Sequence, residues 1–311
     1  MKALGRVACF ITVLLLYGIF SCFCLVNHRN NQQAKIARIL KSIKAEDRFH
    51  LEFYFRHLLF EDPLAYVIYG DKPMAFSGFW NPKISSGDSL MPSCSSRSIM
   101  LRKGYELHKK YQRLFQSKNL IFVFRESDDF TEIALVNRRN FLKTVAGAIE
   151  DFQKVLGVET SGEDILNQFI KEREILAKPL RENHALLGIL LGYGKKNSAT
   201  FHRKIEIMKS QKEFHLQAEK KALTPSIGFD SLDEELTSLN KRLLALQDPY
   251  QELSLVELPT FMVDPYDLET QEVRLKFVKQ RKNIIDIYRQ GNFLEITLNH
   301  FASSDSPRIS P

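Results

Sequence analysis

Cysteine is nearly absent from the part of this chain able to fold in water: of four, Cys9, Cys22 and Cys24 fall in one apolar run and only Cys94 lies outside it. That excludes an intrachain disulfide from the body, whose stability must come from packing. Acids are missing from the N-terminal part, where Glu46 is the first. Missing too are the signatures of common chemistries. No H-E-x-x-H and no G-x-S-x-G occur, which removes the sequence signs of a zinc hydrolase and of a serine hydrolase.

Partial motifs fail on spacing or chemistry. In Gly188 to Lys196 (GILLGYGKK), five residues instead of four separate Gly188 from Gly194-Lys195, and Lys196 stands where a phosphate loop needs Ser or Thr. Glycine there is expected to serve packing and chain reversal, with Asn197 capping the next helix. Ser238 to Lys241 matches S-x-x-K, but the S-D-N and K-T-G elements of penicillin-recognising enzymes are lacking. His50 and His57 lie seven apart, whereas helical metal ligands favour three or four. Glu126, Asp128 and Asp129 crowd one turn without the spaced ligands of a calcium loop, and a solvated turn is expected. No catalytic residue, cofactor or metal set is therefore expected.

What is present begins with Val7 to Val26, twenty residues without a charge behind Lys2 and Arg6. As a helix rising about 1.5 Å per residue it matches the hydrocarbon thickness of a bilayer. Its length, and the lack of an A-x-A-like site among Ile19, Phe20, Cys22 and Phe23, favour an uncleaved single-pass anchor over a cleaved signal. Lipoprotein processing at Cys22 is the alternative, with Phe20 where that pattern needs a small residue. Sidedness has two opposed indications. The basic flank after the run holds it in the cytoplasm under the positive-inside rule, while the short basic N-terminus is that of an exported chain and favours an extracytoplasmic body.

The 285 residues after the run hold 42 basic and 37 acidic residues, a net of +5 that does not by itself imply nucleic acid. The pattern predicts an α+β fold in four stretches: the anchor at 1–26, juxtamembrane helices at 27–62, an α+β part with two hairpins at 63–160, and a mainly helical part at 161–311 on the same core. Ala65 to Tyr69 and Met74 to Phe79 read as one hairpin around Gly70-Asp71-Lys72-Pro73. Asn119 to Phe124 and Thr131 to Val136 read as the second, followed by one helix to Leu156 with Gly157 as its cap. Ser98 to Ser117 carries a core stripe of Leu101, Tyr105, His108, Tyr111 and Phe115. Ser161 and Asp164 nearly form a capping box. Helices are expected at 181–191, 198–223, 231–247 and 267–290, with an edge strand within Glu252 to Val263.

Basic residues cluster on three helices, where contacts to an anionic lipid, glycan or acidic protein are expected. Ala34 to Lys44 carries Lys35, Arg38, Lys41 and Lys44 around the apolar stripe Ile36, Ile39, Leu40 and Ile43. It suits equally the headgroup region and the start of the body. The second cluster, Arg97 to Lys118, includes Arg102, Lys109 and Lys110; the third, Lys195 to Lys221, includes Lys195, Lys196, Arg203 and Lys204. The alternative reading of these two is separate solvated faces.

Tyr66 to Pro73 (YVIYGDKP), after a short aromatic helix, and Leu187 to Gly194 (LGILLGYG) resemble recurring segments of uncharacterised membrane-anchored or exported proteins of Chlamydia-like intracellular bacteria. The resemblance covers about a tenth of the chain. It implies an apolar leader and a bacterial envelope setting, and transfers no functional residue. Three expectations result: a membrane-anchored interaction or structural protein, an envelope hydrolase whose site assembles only in three dimensions, or a nucleic-acid binder if the body is cytoplasmic.

Overall fold

The computed structural model describes residues 34, 36–82, 96–115, 117–172, 182–221, 244–245, 256–259 and 262–303, with 212–221, 244–245 and 262–263 described by backbone alone. The apolar run, Lys35, Cys94, Ser238 to Lys241 and the tail after 303 lie outside them. Among the described residues no helix is long and apolar enough to cross a membrane.

The architecture is α+β and mostly helical, around one three-stranded antiparallel sheet. Strands β1 (Met74–Trp80), β2 (Leu120–Glu126) and β3 (Phe130–Asn137) lie in the order β1-β3-β2. Strand β3 pairs Val136 with Met74 on one side and with Ile121 on the other. Side chains alternate along each strand, so the two faces feed two cores. Ala75, Phe79, Leu120, Ile133 and Leu135 belong to one core; Met74, Val123, Ala134 and Val136 belong to the other. The sheet is therefore covered on both sides, and Ile133 to Val136 reads as an unbroken apolar run.

Helices α1 (36–42), α2 (Ala45–Arg56), α3 (Leu64–Ile68) and α4 (Ser96–Lys110) supply the first core. Ile36, Leu40 and Ile43 are buried there, so the apolar stripe of α1 packs on the body and not among lipids. Leu101, Tyr105 and His108 of the expected stripe are buried on α4 and Phe115 is buried beyond it, but the helix expected to reach Ser117 ends at Lys110, a 3-10 turn follows at Gln112–Leu114, and Tyr111 is only half-buried. Gly104 lets α4 meet α2 closely: a Cβ there would stand 2.5 Å from the His50 carbonyl. Gly104→Ala would gain about 1 kcal/mol of helix propensity and lose more by forcing two backbones apart. We expect a net loss of roughly 1–2 kcal/mol, measured as a lower urea midpoint at unchanged slope.

The second core is covered by α5 (Arg138–Ala146), α6 (Ile149–Leu156), α7 (Gly162–Glu172) and α8 (His184–Leu190). The capping box forms, with Ser161 and Asp164 exchanging side-chain to backbone hydrogen bonds of 3.0 and 3.2 Å, and Gly157 ends α6 at φ 69°. The chain continues through α9 (Lys195–Lys221), a short antiparallel pair of β4 (Leu244–Ala245) and β5 (Met262–Val263), α10 (Leu268–Tyr288) and α11 (Phe293–Ser303). Phe277, Ile284, Leu294, Leu298 and Phe301 return to the first core, so the N- and C-terminal parts share it.

Several expectations are corrected. In place of a strand at 65–69 the chain forms helix α3, Leu64–Ile68, with Tyr69 as its cap, and every residue of α3 is fully buried. A short apolar run buried all round carries no period by which strand and helix differ. Consequently β1 pairs with β3 in place of a neighbour in sequence, and of the two expected hairpins only β2–β3 forms. The single helix over 137–156 divides at Gly147 and Ala148, with Asn137 accepting from the Asn140 N–H as cap of α5. The helix expected to end at Gln247 cannot reach it, because Leu244 and Ala245 pair with β5; the rest of that stretch is outside the described residues. The helix expected at 267–290 runs from Leu268 to Tyr288 and is not terminal, for α11 follows it, with Asn292 accepting from the Glu295 N–H.

Candidate functional site

Of the eleven cations singled out in sequence, Lys35 lies outside the described residues and the other ten divide into two groups. Those of α4 and α9 mostly face acids of the same body. Arg102 binds Glu106 at 2.9 Å and Glu126 at 3.2 Å; Lys109 binds Glu126 at 2.9 Å; Lys110 lies 3.6 Å from Asp47. Lys195 binds Asp151 at 3.0 Å, Lys196 pairs with Asp267, and Arg203 lies 3.9 Å from Glu206. Lys204 is half-buried on α9. Arg38, Lys41 and Lys44 differ: they are exposed on and just after α1 and make no ion pair among the described residues.

Asp128 and Asp129 of the acidic turn are exposed, while Glu126 at its edge has partners. Glu126 accepts from Lys109 and from the Tyr105 hydroxyl, and the Lys109 hydrogen bond holds its carboxyl below the usual range. It is an internal counter-ion. Among the described residues no group of three His, Cys, Asp or Glu is placed to hold a metal ion. His50 and His57 do not converge: His50 lies 3.9 Å from Glu46, whereas His57 sits with Glu61.

A polar cluster that sequence reasoning missed surrounds His57. Helix α2 ends in a π-helical turn, His57–Glu61, a rare geometry that often marks functional positions. It places His57 Nδ1 3.0 Å from Glu61 and 3.1 Å from the Arg97 guanidinium. The other ring nitrogen, Nε2, lies 3.4 Å from the Gly78 carbonyl and 3.6 Å from Asp62. A neutral ring with its proton on Nε2 donates to Gly78 and accepts from Arg97. Burial holds the His57 pKa low and the Asp62 pKa high, and each shift favours a neutral form. Ser77, from β1, donates to Asp62 at 2.5 Å. The ring faces Asp62 and not the serine, so the order is serine, carboxylate, histidine. It is not the serine–histidine–carboxylate order, and with Nε2 protonated the ring takes no proton from the Asp62 side. The helical spacing of His57 and Glu61 was visible in sequence; their meeting with Ser77 and Arg97 was not.

A second constellation joins the two segments that carried the resemblance. Lys72 is fully buried, donates to the Leu191 carbonyl, and lies 4.2 Å from the ring centre of Tyr193 and 5.3 Å from that of Phe277. Burial pushes its pKa down to about 7, with Lys276 adding to the shift and Asp71 opposing it. The loop it meets turns at Gly192 and Gly194, with φ of 79° and 90°, where L-residues are strained. Beside Gly194 stands the Glu269 carboxylate, which accepts from the Asn197 N–H at 2.8 Å. Asn197 is thus not a cap. Its amide accepts from Thr270 at 2.8 Å, and the first turn of α9 receives its anion from a distant helix. A carboxylate of this chain fills the place that a phosphate takes in a phosphate loop.

Comparison with known proteins finds no matching family, no matching curated protein and no matching solved structure.

Proposed function

We propose that this chain is a membrane-tethered interaction or structural protein of a bacterial envelope, its α+β body held at the bilayer by Val7 to Val26. One observation carries the reading: Ile36, Leu40 and Ile43 are built into the body's core. Only residues 27–35 then separate the apolar run from folded structure, a reach of about 30 Å at full extension. A body so tethered works at the membrane surface, on lipid or on proteins close to it. Internal pairing of the cations on α4 and α9 favours this over nucleic-acid binding, which needs a basic face open to phosphates. The test is fractionation of the full chain in a bacterial host. Retention in membranes through alkaline carbonate, with release when 7–26 is deleted, is the expected result; release of the intact chain by carbonate overturns the anchor. Reporter fusions after Ser303 then assign the side.

A second reading, an envelope hydrolase, is favoured by the His57, Asp62 and Ser77 cluster alone. It would predict ester or amide cleavage by the purified chain, abolished in both Ser77→Ala and Asp62→Asn with melting temperature retained. No cleavage by the wild type leaves the cluster as a structural brace between α2 and β1.

A further inference from the structure

We infer that Arg38, Lys41 and Lys44 bind the headgroups of anionic phospholipid, so that the body lies on the bilayer with α1 beneath it. This rests on the membrane-tether reading and names its partner. On α1 the buried residues Ile36 and Leu40, with Ile43 just beyond, define the inner face, and Arg38 and Lys41 fall roughly opposite them at 100° per residue. The apolar face being occupied, this helix cannot insert as amphipathic membrane helices do. What remains for the lipid is charge. Nearby acids are committed elsewhere, Glu46 to Lys103 and Asp47 to Lys110, and no acid precedes Glu46. Among the described residues the three cations have no internal counter-ion, Arg38 and Lys41 lying on the helix closest in sequence to the apolar run and Lys44 just after it. Anionic surface potential decays within a Debye length, about 8–10 Å, and the short connection keeps them near it. An acidic protein partner would meet the same charges, but nothing holds such a partner here, whereas the tether supplies the lipid.

Each cation near an anionic surface contributes about 1 kcal/mol, roughly fivefold, so the three give a docked population roughly a hundredfold above the undocked. The experiment uses the full chain in vesicles of phosphatidylcholine alone or with one-third phosphatidylglycerol, footprinted with an amine-reactive reagent and read by mass spectrometry. Lys41 and Lys44 should label at least fivefold more slowly on the anionic vesicles, with the difference lost in high salt, while Lys109 and Lys195 label equally on both. Arg38→Glu should restore labelling of Lys41 and Lys44 with the melting temperature unchanged. If the chain floats with vesicles but Lys41 and Lys44 label equally on both, or are protected equally on both, the inference is overturned and the tether stands. If it does not float, both are overturned.

Discussion

Lowering the pH from 6.5 to 4 is expected to remove roughly 3 kcal/mol of stability through one side chain, His108. Its ring lies among Tyr54, Phe55, Phe115, Phe122 and Phe124, with centroid distances of 4.7 to 5.7 Å. Burial alone pushes its pKa down to about 3. In the unfolded chain the same ring titrates near 6.5, so between those values the unfolded state binds the extra proton. Stability is then fully present above pH 6.5 and falls as pH drops toward 3. His108→Leu keeps the volume and removes the titration. It gives up a weak 3.5 Å contact with the Tyr54 hydroxyl, so it should be slightly less stable at pH 7. Below about pH 5 the order should reverse. Urea unfolding at pH 7, 5.5 and 4 provides the check, and parallel pH slopes for the two proteins would refute it.

Lys72 gives an effect of similar size at the alkaline end. Its folded pKa of about 7 lies below the unfolded value of 10.5, so between them the unfolded chain again holds more protons, and stability rises as pH rises from 7 toward 10. The slope is about 1.4 kcal/mol per pH unit. Two effects compete at neutral pH. Tyr193 and Phe277 favour the ammonium, each by a cation–π attraction of about 1–2 kcal/mol, but desolvating a full charge costs more. Lys72→Met should therefore abolish the rise between pH 7 and 9. At pH 7 it should raise stability by roughly 1–3 kcal/mol, the relieved desolvation exceeding the hydrogen bond lost at Leu191. A destabilised Lys72→Met that keeps the wild-type slope would show that the charge is well solvated where it sits.

These two residues mark where the sequence was legible and where it was not. His108 stood on a stripe with Leu101, Tyr105 and Phe115 at helical spacing, and a stripe tells which way a side chain points. Lys72 sat in Gly70-Asp71-Lys72-Pro73, which reads as a solvated hairpin turn. It is buried because α3 ends there against a loop more than a hundred residues later, and no local period encodes such a meeting. The β2–β3 hairpin was readable because its two strands, rich in aromatic and β-branched residues, are adjacent across a short polar turn. Strand β1 was assigned the wrong partner because α3 is apolar all round. The His57 cluster has the same history: His57 and Glu61 are neighbours on a turn, while Ser77 and Arg97 arrive through the sheet and α4. Charge was the least legible property. Arg102, Lys109 and Lys110 looked like a surface for a partner, and only their positions beside Glu126 and Asp47 revealed internal neutralisation.

The return of α10 and α11 to the first core bears on the order in which the protein is made. Tyr69 donates to Tyr288 at 2.8 Å, His300 Nε2 lies 3.0 Å from the Ile68 carbonyl, and the Phe301 ring lies 5.5 Å from that of Phe122. Phe122 is synthesised about 180 residues before the ring that covers it, an interval of roughly 10–40 s at about 5–20 residues per second. Throughout it the aromatic cage around His108 stands open. The nascent chain therefore stays incompletely packed until α11 has been made, and in that interval the open cage is apolar surface that a holding chaperone could cover.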